Sequence, residues 1–340
     1  MKKFIFKLLK FSALIYVPLI ITLVLYLTFD PFKVIYERNT YFDPINKPNI
    51  ELNKDFVSTY TFINNLKNNK YDSFIFGNSR SIFYEIKDWK KHIGSSSKCY
   101  HFDASGEALY AMHKKILFIS KKNVKIKNCL LILDYPTLKQ VDSKKGHLSV
   151  IAPPLVDYSN LAEFHKTFFE AFISPKFLRA YFDFKINGKV KDYMKEEHLI
   201  DDRTFEYDYK TNEMRFVEIE NQIKNGTYYT PKRISVFYKR DEVLLESEAI
   251  ISEKQKNLLI EIQSVFKKNN TNLKVIINPL YDQKKLNFKD LKYLKRLFGE
   301  NNVFDYSGKN EITEDFHNYY EASHYRPHVT RKIMEEIYQK

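Results

Sequence analysis

The amino-acid sequence predicts an α/β fold with a parallel central sheet. Short apolar runs, such as residues 74–76 and 129–134, are bounded by polar residues, as expected for strands buried on both faces. Helical patterns separate these runs, and strand–helix alternation is typical of parallel sheets. The chain of 340 residues is 44% apolar and 16% aromatic, which allows a large core in one domain with an insertion, or in two domains.

An apolar segment near the N-terminus predicts a membrane anchor. Residues 11–29 carry no charge and are about long enough to cross a bilayer as a helix, and four lysines lie within residues 1–10. We therefore expect residues 1–10 in the cytoplasm, residues 11–29 as an uncleaved signal anchor in the inner (cytoplasmic) membrane, and the remainder outside the cytoplasm. A cleaved signal peptide is the alternative, but the run is long and ends in Tyr26-Leu27-Thr28-Phe29 rather than in small residues.

The remaining chain divides into a neck and one domain. Residues 30–70 are polar, contain three prolines and end in a helical pattern, which indicates a juxtamembrane neck. Residues 71–340 form the predicted α/β domain, and residues 138–250 interrupt it as a largely helical insertion. The insertion is rich in aromatic residues, which at helical spacing favour a core over a sugar-stacking surface.

The elements of the domain follow from the hydrophobic pattern. The helix at 252–268 has an apolar face, and the last helix begins at Pro327, which suits a first turn, and repeats apolar residues every fourth position. We expect strands at 74–76, 99–104, 129–134, 273–277 and 302–306, and helices at 54–66, 81–91, 108–120, 252–268, 288–298 and after 327.

Two distant segments carry the residue types of nucleophilic catalysis. The first strand ends in Gly77-Asn78-Ser79, and ligands of open α/β sheets bind beyond the carboxyl ends of the strands. Near the other end of the chain, Glu321 lies three residues before His324. A serine hydroxyl needs a base to take its proton, and a carboxylate orients that base. The alternative for Ser79 is a plain helix N-cap.

These two segments resemble the nucleophile and last blocks of the SGNH (GDSL-like) hydrolase family. The resemblance covers about residues 71–340 and implies a flavodoxin-like three-layer α/β/α fold with strand order 2-1-3-4-5. It also implies Ser79 as nucleophile, His324 as base and Glu321 as the orienting acid, with His317 and His328 as less suitable bases. Asn replaces the family's Asp in the first block, and Glu replaces Asp in the last.

The resemblance also implies an oxyanion hole. Its donors would be the backbone N–H groups of Ser79 and Gly106, although a glycine at Gly106 also suits a plain helix entry. The family's G-x-N-D block is missing after the third strand, where the sequence reads Asp134-Tyr135-Pro136-Thr137. Asn278, after the fourth strand, is a substitute donor, or simply a strand terminator before a proline.

The implied function is that of a membrane-anchored serine esterase acting outside the cytoplasm. It would remove or transfer acyl groups, O-acetyl above all, on an envelope or secreted glycan. The alternative is a catalytically inactive SGNH-fold protein that binds glycan or assists envelope assembly, which the missing block favours. We find no metal-ligand spacing and expect no cofactor.

Charge and cysteine content restrict the partners. The net charge of +13 comes from lysines scattered among acids, which indicates a compositional bias or attraction to an anionic envelope surface. No nucleic-acid motif occurs, and the predicted topology disfavours a nucleic-acid partner. Cys99 and Cys129 are expected to be free and buried, because they lie on strands that flank the first strand. The sequence does not indicate an oligomeric state.

Overall fold

A computed structural model describes residues 2–196, 198–240, 243 and 245–339. Its helices are α1 (Lys2–Phe29), α2 (Lys54–Asn65), α3 (Ile86–Ile93), α4 (Leu109–Lys121), α5 (Tyr135–Lys139), α6 (Leu161–Ile173), α7 (Pro175–Asn187), α8 (Asp192–Glu196), α9 (Val217–Lys224), α10 (Pro231–Ile234), α11 (Glu253–Asn269), α12 (Phe288–Phe298), α13 (Glu311–Glu314) and α14 (Pro327–Gln339). Its strands are β1 (Ile45–Asn46), β2 (Asn49–Ile50), β3 (Ser73–Phe76), β4 (Cys99–His101), β5 (Asn128–Leu133), β6 (Ile200–Asp201), β7 (Phe205–Asp208), β8 (Glu213–Arg215), β9 (Asn272–Ile277), β10 (Val303–Asp305), β11 (Tyr319–Glu321) and β12 (His324–Tyr325).

The centre of the molecule is a sheet of five parallel strands in the order β4-β3-β5-β9-β10. All four residues of β3 are buried, as are most residues of its neighbours, because helices cover the sheet. The predicted mixed α/β fold with a parallel sheet is therefore confirmed. Cys99 and Cys129 are free and buried, on the two strands that flank β3.

Two helix pairs complete the core around the sheet. Helix α4 packs against α11, and α3 packs against α14. In α14 the residues that recur every fourth position, Val329, Ile333 and Ile337, are buried as the spacing predicts. This packing holds the segment just before α14 against the sheet.

Residues 30–70 pack into the domain together with the insertion. Strand β1 pairs with β7 and strand β2 pairs with β6, so each small sheet joins the two segments. The ring of Phe32 lies 4.7 Å from that of Phe177, and Phe56 stacks on Phe164 at 5.4 Å. The insertion contains strands β6 to β8 as well as helices, and many of its aromatic residues are buried in the core.

Helix α1 carries the apolar segment of the sequence. An 18-residue window within Lys3–Phe29 has a mean hydropathy of 2.3, and the helix is long and apolar enough to span a membrane. It is the one such helix in the described part of the chain. Pro18 lies inside it, and the hydroxyl of Thr22 donates a hydrogen bond to the Pro18 carbonyl at 2.8 Å.

Candidate functional site

The turn after β3 is closely packed around Gly77. A Cβ atom on Gly77 would lie 2.7 Å from the Cβ of Ser81 and 2.9 Å from the Cβ of Ile132, so only glycine fits. The predicted helix at 81–91 is interrupted: a 3₁₀ turn, Ser81–Phe83, precedes α3. The N-cap of that 3₁₀ turn is Arg80, so Ser79 lies outside it and its hydroxyl is not used in capping.

A second segment brings a histidine to this serine. Strands β11 and β12 form a hairpin, and His324 at the start of β12 places its Nε2 2.7 Å from the Oγ of Ser79. The other ring nitrogen, Nδ1, is hydrogen-bonded to Glu321 Oε1. The second carboxylate oxygen of Glu321 accepts a hydrogen bond from the Ser323 N–H at 2.6 Å. Ser79, His324 and Glu321 thus form one continuous hydrogen-bonded series.

The electrostatics of the series favour a proton-accepting histidine. Burial raises the pKa of Glu321, but its hydrogen bond to His324, the charge of His324 and the Ser323 N–H outweigh this and lower the pKa. The carboxylate therefore stays ionised and accepts a hydrogen bond from the Nδ1–H group of His324. In the neutral ring this tautomer leaves the lone pair of Nε2 facing the hydroxyl of Ser79.

A buried carboxylate, Asp134, supports the serine turn. Its Oδ2 accepts hydrogen bonds from Asn78 Nδ2 at 2.7 Å, Asn278 Nδ2 at 3.0 Å and Arg80 Nη1 at 3.0 Å. Its Oδ1 accepts the Thr137 N–H at 2.9 Å. Burial raises the pKa of Asp134, but the charge of Arg80 and these hydrogen bonds lower it overall. Asn78 is thus a donor to this carboxylate.

Arg80 connects the serine turn with the histidine hairpin. Besides its bond to Asp134, it donates from Nε to the carbonyl oxygen of Ser323 at 2.8 Å. Sequence reasoning did not single out Arg80 or assign Asp134 a role. A signal was present, because a cation four residues after β3 and an acid directly after β5 lie at the same edge of a parallel sheet.

The predicted oxyanion donors do not come together. The N–H of Ser79 donates no hydrogen bond within the described part of the chain, and Ser79 borders the cavity beside His324. Gly106, with φ of +57°, borders a separate cavity of ≈ 20 Å³, where its carbonyl accepts from Lys144. Asn278 is buried and borders another cavity; its Nδ2 donates to Asp134, and its Oδ1 accepts from the Tyr325 hydroxyl at 2.8 Å.

The other two candidate histidines have different partners. His317 Nδ1 lies 2.9 Å from Asp315, and His328 Nε2 lies 2.8 Å from Asn318. Neither contributes to the wall around Ser79 among the described residues. His324 is the histidine that the structure brings to the serine.

A cavity of ≈ 610 Å³ opens beside Ser79 and His324. Most of its wall comes from the insertion, which sequence reasoning had not connected with the site. Four aromatic rings border it, namely Phe83, Phe216, Tyr228 and Tyr320. A volume of this size with aromatic residues in the lining is typical of small-molecule sites.

The cavity also carries charged groups from the insertion. Lys195 pairs with Asp202 at 2.8 Å, and Arg203 pairs with Asp201 at 2.7 Å. The guanidinium of Arg233 lies over the ring of Tyr228 at 5.0 Å. Lys195 and Arg203 are thus held by ion pairs, and Arg233 is held by an aromatic ring.

The insertion also supports the histidine hairpin directly. The carboxylate of Glu220 in α9 binds Arg326 at 2.8 Å and accepts from the Tyr320 hydroxyl at 2.7 Å. The hydroxyls of Tyr228 and Tyr229 donate to the carbonyls of Tyr320 and Tyr319, at 3.1 and 2.7 Å. The hairpin is therefore held from the insertion as well as from Arg80.

Comparisons of the chain with protein-family models, with curated proteins and with solved structures find no match. The arrangement itself provides a hydroxyl, a base hydrogen-bonded to it, an ionised carboxylate behind the base, one unused backbone N–H and an adjoining cavity. These are the parts that acyl transfer to and from a serine requires.

Proposed function

We propose that the protein is a serine esterase or acyltransferase. One observation carries the proposal: the Oγ of Ser79 lies 2.7 Å from Nε2 of His324, whose Nδ1 is hydrogen-bonded to Glu321. A histidine bonded only to a serine would also occur in a core. The ionised carboxylate behind this histidine and the cavity in front of the serine favour catalysis.

The chemistry follows from this geometry. His324 Nε2 takes the proton of Ser79 as Oγ attacks the ester carbonyl, and the Ser79 N–H donates to the resulting oxyanion. The protonated His324, stabilised by Glu321, then gives its proton to the departing alcohol, leaving an acyl group on Ser79. Attack by water completes hydrolysis, and attack by another hydroxyl completes transfer.

The family proposal is an SGNH-type, flavodoxin-like three-layer fold. Counted along the chain, the five parallel strands lie in the order 2-1-3-4-5, which supports it. Two positions also support it: the serine follows β3, the first strand of the parallel sheet along the chain, and the Glu-x-x-His segment precedes the last helix, α14. The substitution of Asn78 for the family's acid is accommodated by its hydrogen bond to Asp134.

The proposed location is the outer face of the inner membrane, with α1 as a single anchor and the N-terminus in the cytoplasm. The proposed substrate is an acylated carbohydrate of the envelope or of a secreted glycan, with O-acetyl as the acyl group. The aromatic residues Phe216 and Tyr228 in the cavity wall fit a sugar, although Arg203 and Arg233 already lie over the faces of these two rings.

The test combines labelling with turnover. The full-length protein should react with a fluorophosphonate probe and hydrolyse a small acetyl ester, and Ser79→Ala should lose both, with a fall in turnover of about 10⁴-fold or more. Ser105→Ala is the control, because Ser105 is exposed beside Gly106 and outside the cavity of Ser79. Equal turnover in the two variants would refute the proposal.

A second candidate is an inactive glycan-binding or envelope-assembly protein with the same fold. It is favoured by the positions of Gly106 and Asn278, which leave the Ser79 N–H without the two expected partners in an oxyanion hole. A folded protein that binds an acetylated oligosaccharide but gives no fluorophosphonate adduct at Ser79 would support this candidate over the enzyme.

A further inference from the structure

The last turn of α1 is part of the folded domain. The ring of Tyr26 lies 5.5 Å from that of Phe169 in α6, and Tyr26 is buried. One turn further on, the ring of Phe29 lies 6.4 Å from that of Phe182 in α7. The pair α6–α7 therefore lies at the level where the apolar segment ends.

Apolar rows on α6 and α7 run outward from these contacts. On α6, Phe169 is followed four residues later by Ile173, which is 39% exposed. On α7, Phe182 is 36% exposed and is followed four residues later by Ile186, which is 79% exposed. Residues four apart share one face of a helix, so each row starts at α1 and continues into exposed apolar surface. We name Ile173, Phe182 and Ile186 the outer face.

We propose that the outer face lies in the interface of the lipid bilayer, on the side where α1 ends. This inference rests on the proposed membrane anchor and is independent of the proposed chemistry. Ile186 is one helical turn, about 5–6 Å, beyond Phe182, and the polar interface of a bilayer is roughly 5–8 Å deep on each side. We place the outer face in this zone because α6 and α7 pack against the last turn of α1.

The charges around the outer face match lipid headgroups. Lys185 and Lys189 flank Ile186 and are exposed, and neither has a carboxylate within ion-pair distance among the residues the structure describes. Long basic side chains place their stems along apolar surface and their ammonium groups among anionic headgroups. A bilayer thus accounts for both the apolar row and the lysines beside it.

The outer face is connected with the catalytic cavity. Asp183, next to Phe182, accepts a hydrogen bond from the Tyr193 hydroxyl of α8 at 2.7 Å and pairs with Lys191 at 2.7 Å. Asp192 of α8 borders the cavity beside Ser79. Lipid contact at α7 therefore holds one wall of the cavity close to the membrane, where a membrane-borne substrate would reach it.

The experiment uses the full chain in lipid nanodiscs that contain a headgroup nitroxide. Ile186→Cys is labelled with an environment-sensitive fluorophore, since Cys99 and Cys129 are buried and unreactive. Ile260→Cys, on α11 and 49% exposed, is the matched control outside the proposed contact, and Leu19→Cys, 45% exposed, reports α1 in lipid. We expect blue-shifted emission and quenching of roughly half the signal at residue 186, as for a group in the interface, and neither effect at residue 260.

Three outcomes would overturn the inference. Equal emission and quenching at residues 186 and 260, with the label at residue 19 in lipid, would mean that the outer face is in water. A blue shift at residue 186 without quenching would mean that protein covers it. A label at residue 19 outside lipid would refute the anchor as well, while ester turnover and fluorophosphonate labelling would still test the chemistry separately.

Discussion

Nε2 of His324 lies 2.7 Å from Oγ of Ser79, although 245 residues separate them in the chain. The parallel sheet presents the serine at the end of β3, and Arg80 binds the carbonyl of Ser323 next to the histidine. The contact between Ser79 and His324 is thus supported both on the serine side and on the histidine side. Single substitutions around it can therefore test the role of each support.

Glu321→Gln should reduce ester turnover by about 10²–10⁴-fold with little change in KM, because the amide neither stabilises a protonated His324 nor selects its tautomer. The measurement is kcat and KM on an acetyl ester, with the thermal midpoint as a check on folding. Asp315→Asn is the matched control, since Asp315 binds the exposed His317 in the same way. Equal effects of the two substitutions would contradict the assigned role of Glu321.

Arg80→Lys should lower kcat about tenfold. The guanidinium of Arg80 binds Asp134 and the Ser323 carbonyl at the same time, and the single ammonium group of a lysine cannot replace both bonds. KM should change little if Arg80 acts by positioning the hairpin. Arg331→Lys is the control, since Arg331 pairs with acids of α3 and the preceding loop, away from the serine. Unchanged kcat in Arg80→Lys would show that catalysis does not need the two bonds of Arg80.

Gly77→Ala should destabilise the fold by about 1–3 kcal/mol and reduce turnover, since the new Cβ would overlap Ser81 and displace Ser79. Chemical denaturation and ester turnover measure the two effects. Adding Ser81→Gly removes the closest contact and should restore part of both losses, in a double-mutant cycle. Additive losses would mean that the damage arises elsewhere.

Acid should destabilise the protein through His101. Burial lowers the pKa of His101 to about 4, so between pH 6.5 and 4 the unfolded chain binds a proton that the folded chain does not. The free energy of unfolding therefore falls as the pH falls through this window, by up to about 3 kcal/mol. Burial raises the pKa of the neighbouring Asp103 to about 6, which opposes the trend.

The effect of His101 is therefore measured as a difference. Denaturation of the wild type and of His101→Gln between pH 4 and 7 should show curves that converge towards low pH, because the variant lacks the titrating ring. Parallel curves for the wild type and His101→Gln would contradict the prediction.

Local patterns were enough to predict the sheet strands, and together with the resemblance to the SGNH family they selected Ser79, Glu321 and His324. Each of these depends on a few neighbouring residues and on the rule that parallel strands end at one edge. The interruption after the serine turn was missed, because the 3₁₀ turn is a feature of three residues within a helical pattern.

The surroundings of the site could not be predicted in the same way. Asn278 lies at the expected edge, but it borders a different cavity and binds Asp134 and the Tyr325 hydroxyl, which only the packed structure reveals. The cavity wall comes from an insertion whose path depends on pairing with residues 45–50, and no short-range pattern encodes that pairing.

The burial of residues 30–53 limits how a soluble form could be released. Asp30 accepts the N–H groups of Val34 and Ile35 and binds Arg38, so ordered structure begins directly after the apolar helix. A protease that cut anywhere between Phe32 and Leu52 would strip aromatic side chains from the core or separate a strand from its partner. Because Tyr26 is also buried, against α6, shedding of an intact domain would need cleavage before Tyr26, within the apolar helix itself.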